Sequence, residues 1–268
     1  MYAETIDTFA ETARRKTAAI AANPLGFFVA AMLAGAYIGL AIIAIFSIGQ
    51  GLEPGVRPLA MGLTFALALT LVVFAGAELF TGHTMMMTLG VLRGRTSLGG
   101  LGRSWALTWT GNLAGAVALA TLFWLGGGGT ILKDGADLIY ATADAKMHAT
   151  PVALVAKGIL CNWLVCLAIW MAARTASDVA KLIVMFWCLF AFIASGFEHS
   201  VANMTVFAIA LLGAHPDTVT IGGMFYNLAF VSVGNIIAGV VFVAGAYHLA
   251  SGRVAPTGAI ETAPVPAE

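Results

Sequence analysis

Glu198 and His199 stand side by side in the stretch GFEHSVANM (residues 196–204), inside an otherwise almost uncharged apolar run from Leu182 to Ala214. Two kinds of chemistry are open to such a pair. The carboxylate can accept hydrogen bonds from freed backbone N–H groups, and the imidazole can donate a hydrogen bond to an anion or exchange a proton. A second stretch, AGAELFTGH (residues 75–83), carries Glu78 and His83 in a comparable setting. Ionisable groups are costly at membrane depth, so each needs a partner or a task.

The elements that must hold these residues are membrane spans. Of 268 residues, 60% are hydrophobic and 10% charged, and the mean hydropathy is +0.93, which defines an all-α integral membrane protein. Thirteen basic residues balance thirteen acidic ones, so nothing points to nucleic acid or to a polybasic anchor. Cys161, Cys166 and Cys188 lie in apolar segments and support neither a disulfide framework nor a metal site, and no cofactor is called for. Apolar runs fall at about 26–48, 59–92, 105–127, 152–173, 182–214 and 222–249. A bilayer core of about 30 Å needs roughly 20 helical residues. The second and fifth runs hold 34 and 33, and each is interrupted by glycine and ionisable groups. Both are therefore read as two half-helices with a turn at the membrane midplane. Residues 1–24 read as an amphipathic helix lying on the cytoplasmic face, 25–250 as the six-span domain and 251–268 as a disordered cytoplasmic tail.

Internal symmetry fixes the topology. Pro24 matches Pro151, Gly76 matches Gly196, Glu78 matches Glu198, and GNLAG (111–115) matches GNIIAG (234–239), at offsets of 127, 120, 120 and 123. Each half, about 25–127 and 151–250, has three spans, so the second runs inverted: a 3+3 inverted repeat. Basic residues concentrate in the N-terminal arm, the 2–3 and 4–5 loops and the tail, which puts both termini in the cytoplasm. In this reading Glu78 and Glu198 cap the new helix ends and support the breaks without touching substrate. His83 and Asn203 hold their turns. Asn112, Asn162 and Asn235 are hydrogen-bond glue between helices. Lys157 either snorkels to the outer surface or draws anions into a vestibule. Trp105, Trp109 and Trp170 anchor span ends at the interface, and Met85–Met87 pack. His199 stands apart because its repeat mate is Leu79. Symmetry does not demand a polar group there, so His199 is the functional candidate.

These motifs, together with KGILCNWLVC (157–166) and Asn227 of span 6, resemble the formate/nitrite transporter family over about residues 5–250, with wording most like its nitrite-channel branch. The resemblance implies an aquaporin-like fold, a homopentamer with a pore in each protomer, lipid contact, and residence in a bacterial inner membrane as a multi-pass protein. It further implies an inner constriction at Leu79, Phe80 and Thr81, joined by Leu69, with Thr81 facing the central His199, and an outer gate at Phe65 and Phe192. No catalytic residues are implied. The cargo would be a small monovalent anion, nitrite foremost, with formate or hydrosulfide as the alternative. Two rivals stand beside it: a haem oxidoreductase ligated by His83 and His199, and a neutral-solute channel, which the lack of paired Asn-Pro-Ala turns weakens.

Overall fold

A computed structural model describes residues 2–133 and 136–252; the tail expected beyond Gly252 lies outside the described residues. Helix α1 (Ala3–Ala22) precedes α2 (Pro24–Gly49). The second crossing is α3 (Arg57–Phe65) and α4 (Leu67–Ala75), then, after a break, α5 (Phe80–Leu92). The third is α6 (Leu98–Leu125). A connecting helix α7 (Ala136–Met147) leads to α8 (Pro151–Ala172), and α9 (Asp178–Ala194) is separated by a second break from α10 (Ser200–Leu212). The last crossing is α11 (Ile221–Ile237), which continues through a π-helical stretch, Ala238–Gly245, into α12 (Ala246–Ala250). Among the described residues five helical stretches are long and apolar enough to span a membrane; α9 and α10, of 17 and 13 residues, flank the second break.

Each half starts in the same way. The Asn23 side chain accepts from Gly26 N at 2.9 Å just before Pro24, and the Thr150 hydroxyl accepts from Ala153 N at 3.4 Å just before Pro151. Such caps satisfy first-turn donors, and proline at the first helical position has no N–H to leave unmet. The first helix of each half packs along the third, α2 on α6 and α8 on α11. Both breaks are made by one device. Gly76 at φ +77° and Gly196 at φ +68° take the left-handed conformation, and Ala77 N and Phe197 N reach back to Val72 O and Phe192 O at 2.9 and 3.0 Å. This closes α4 and α9 with their carbonyls bonded, at a dihedral that a residue with a Cβ adopts only with strain. The half-helices α5 and α10 then restart over 13 residues each. Helix α10 is buried around its whole circumference from Ser200 to Ala210, which is why it lacks a polar stripe.

Two expectations are corrected. Helix α1 is amphipathic, but the apolar face bearing Ile6, Phe9, Ala13 and Ile20 is buried against protein instead of resting on lipid. Phe9 stacks on Trp170 at 5.8 Å, Arg93 pairs with Asp7 at 3.2 Å, and Arg174 donates to the Thr5 hydroxyl at 3.0 Å. The three tryptophans also turn inward: Trp105 Nε1 donates to His83 O, Trp109 Nε1 to Ser232 Oγ, and Trp170 is sandwiched between Phe9 and Tyr247. Trp105 and Trp109, half-buried, have their indole N–H bonded, and Trp170 is buried between rings.

Candidate functional site

Starting a helix in the middle of a membrane exposes N–H groups that lipid cannot satisfy. The caps are asparagines. Asn112 Oδ1 accepts from Phe80 N at 2.9 Å, while its Nδ2 donates to Ala31 O at 2.8 Å and Glu78 O at 3.0 Å. Asn235 repeats this in the second half: Oδ1 accepts from Ser200 N at 3.0 Å, and Nδ2 donates to Gly158 O at 2.9 Å and Glu198 O at 3.2 Å. Each amide thus spends one acceptor and two donors on three buried backbone groups. The glutamates were expected to cap and do not; asparagines expected to glue helices carry that task. A carboxylate has no donor with which to hold the two carbonyls, whereas an amide has both kinds of group.

The glutamates form ion pairs beside the breaks. Glu78 Oε1 accepts from Lys16 Nζ of α1 at 2.7 Å, and its Oε2 faces His83 Nε2 at 2.7 Å. The other His83 nitrogen meets Ser104 Oγ at 2.7 Å. Glu198 Oε2 accepts from Lys146 Nζ at 2.8 Å and from Asn203 Nδ2 at 2.6 Å, and Asn203 also donates to Asn227 Oδ1 at 2.9 Å. Buried carboxylates held by a cation and further hydrogen bonds escape the cost of an unpaired charge. Sequence reasoning missed both lysines: Lys16 counted only within the basic N-terminal arm, and Lys146 was given no role. Helical periodicity was the available signal for Lys16. It lies three residues past Ala13, on the same apolar face.

His199 is held at both ring nitrogens. It is the N-cap of α10, with Nδ1 accepting from Ala202 N at 3.1 Å, and its Nε2 lies 3.1 Å from Thr81 Oγ1 across the gap between the broken segments. Because Nδ1 is an acceptor, the neutral ring carries its proton on Nε2, and the Thr81 hydroxyl proton is left free to donate onward. Thr81 is positioned by its carbonyl, which accepts from Asn162 Nδ2 at 3.3 Å and from Thr84 Oγ1 at 2.6 Å. Asn162 also ties Thr84 Oγ1 and Asn235 O, at 3.0 and 2.6 Å.

The His199 ring forms part of the wall of two cavities. On the side of α7 is a chamber of about 560 Å³ lined by Arg57, Lys146, Lys157, Phe192, Glu198 and His199 among others. Phe192 and His199 also bound, with Phe65, Leu69 and Leu79, an apolar pocket of about 10 Å³, room for about one water. Phe65 and Phe192 meet edge-to-face at 5.4 Å, and Phe192 lies parallel to the His199 ring at 6.0 Å. Phe80 is buried in the surrounding core and Thr81 is fully buried; neither is in the wall of either cavity. Lys157 is exposed and lines the chamber. Phe192 and His199 are thus shared by a wide chamber that carries charged groups and a small apolar pocket. His83, by contrast, has both ring nitrogens engaged and no vacant ligand position, which removes the haem rival's second axial group.

The sequence pattern of the formate/nitrite transporter family matches residues 3–249. The nitrite transporter NirC of Salmonella typhimurium is 51% identical over 255 residues, covering 94% of this chain and 93% of that protein. Among solved structures, an FNT family ion channel superimposes with a TM-score of 0.90 at 51% identity, covering 92% of this chain and 99% of that one. A pentameric formate channel with formate bound aligns with a TM-score of 0.71 at 30% identity, over 84% of this chain and 96% of that one.

Proposed function

This chain belongs to the formate/nitrite transporter family, and from that premise we propose that it conducts small monovalent anions, nitrite foremost, across the inner membrane of a bacterium. It works as a homopentamer with one pore per protomer, both termini in the cytoplasm and the anion leaving as it entered, without catalysis. The observation that carries this reading is that His199 lines both the chamber and the small apolar pocket, read here as the neck, with Nε2 3.1 Å from the Thr81 hydroxyl. A bare anion in a low-dielectric passage costs several kcal/mol even after relaxation. Phe65, Phe192, Leu69 and Leu79 strip its water, and His199 Nε2–H, turning from the Thr81 oxygen to the anion, replaces part of the lost shell at the moment of loss. Protonating the ring would turn Nδ1 from acceptor to donor and remove the α10 cap. The donation is therefore a hydrogen bond from the neutral imidazole. Glu78, Glu198, Asn203 and Asn162 hold the breaks, and Phe80 backs the neck from the core.

Nitrite flux into proteoliposomes tests this. His199→Ala, assembled like the wild type, should lose at least ten-fold in flux; unchanged flux with an unchanged pH profile would make His199 structural. Formate is the second reading, supported by the formate bound to the pentameric relative. Competitive uptake of the two anions at two pH values, with and without a proton gradient, separates them.

A further inference from the structure

The chamber holds more positive charge than a conduit for one monovalent anion needs. Three cations line it, Arg57, Lys146 and Lys157, against one carboxylate, Glu198. Lys146 is spent on that carboxylate at 2.8 Å. Arg57 and Lys157 form no ion pair among the described residues. Arg57 is oriented by donating Nε–H to Leu52 O at 2.8 Å, which leaves its terminal Nη groups as an oriented fork of the kind that grips an oxyanion through two parallel hydrogen bonds. Two uncompensated cations in a chamber with largely apolar walls also focus the field on whatever anion enters.

The two cavities differ in what they admit. The chamber, at about 560 Å³, accepts a hydrated polyatomic ion, and the neck pocket, at about 10 Å³, accepts about one water. Desolvation cost grows with the square of the charge, so the one imidazole at the neck offsets far less of it for a dianion than for a monoanion. A divalent anion is thus attracted more strongly than a monovalent one by the chamber and rejected more strongly by the neck.

We propose that Arg57 and Lys157 form a binding site for divalent tetrahedral oxyanions, of the class of sulfate or hydrogen phosphate, which plugs the pore from the α7 side without passing. The proposal rests on the channel reading for its effect on flux, but its binding chemistry stands separately.

The test has two arms. In proteoliposomes of known orientation, sulfate on the α7 side, at matched ionic strength, should reduce nitrite flux in a dose-dependent way without itself being taken up. In the Arg57→Gln/Lys157→Gln double variant the half-blocking concentration, referred to that variant's own unblocked flux, should rise at least ten-fold. Equal block in both proteins, no block, or sulfate uptake would overturn the proposal. In the second arm, equilibrium dialysis of the purified assembled protein against radiolabelled sulfate should show binding at least ten-fold weaker in the double variant, and equal or absent binding overturns it. If the wild type binds sulfate but carries no nitrite, the channel reading fails and the site stands.

Discussion

The two breaks in the membrane are built alike and used differently. At the first, Glu78 is paired with Lys16 and His83 beneath α1, and the residue before the restarted helix is Leu79. At the second, Glu198 is paired with Lys146 and Asn203, and the corresponding residue is His199. Asn112 and Asn235 make the same three backbone bonds in both places. The backbone repair is duplicated because every interrupted membrane helix leaves the same groups unmet. The imidazole stands on one side only, and on the proposed channel function that is the single point at which the anion loses its water.

Removing the shared repair should have the largest effect. Asn235→Ala leaves Ser200 N, Gly158 O and Glu198 O without their partner, and each buried orphan costs about 1–3 kcal/mol. Asn112→Ala should destabilise by a similar several kcal/mol. Thermal unfolding of the purified proteins measures both, and a mild loss at one break beside a severe loss at the other would end the equivalence. Next come the strained glycines. Gly196→Ala forces a Cβ into the left-handed region, costing roughly 1–2 kcal/mol, and Gly76→Ala should cost as much in the same assay.

The glutamates should separate the two breaks. Glu198→Gln frees Lys146 within the chamber, and a third uncompensated cation should raise the apparent affinity for nitrite in concentration-dependent flux. Glu78→Gln lies away from that chamber and should instead loosen α1, read as faster proteolysis of the N-terminal arm with flux affinity unchanged. Each pair is partly solvated, with side-chain exposures of 17–20% for Lys16, Glu78 and Lys146 and 5% for Glu198, so a stability loss of only about 1–2 kcal/mol is expected once solvent screening is allowed for. The smallest change should come from His83→Asn, which gives the first break the residue found at the second. A shift beyond about 1 kcal/mol in unfolding would show that the Ser104 contact does more than fill space.

Much of this architecture was legible along the chain. Gly76 and Gly196, set in runs too long for single spans, marked the breaks, and the offsets near 120–127 paired them. His199 stood out because its mate is Leu79. What misled were partners distant in sequence: Asn112 meets Phe80 across 32 residues and Asn235 meets Ser200 across 35, while Lys16 and Lys146 reach their glutamates across 62 and 52. No local pattern signals which of several buried polar groups will face which helix end.

Composition and periodicity alone pointed to a membrane chain of six crossings in two opposed copies with one crossing interrupted in each, and both interruptions stand in the structure. These follow from transfer free energy and backbone geometry, which act residue by residue. Only the tertiary structure decided that asparagine takes the first N–H of each restarted helix while glutamate pairs with lysine, and that His199 lines both the chamber and the small apolar pocket. Such choices depend on which donor and acceptor arrive within about 3 Å of each other, and that is set by packing between helices.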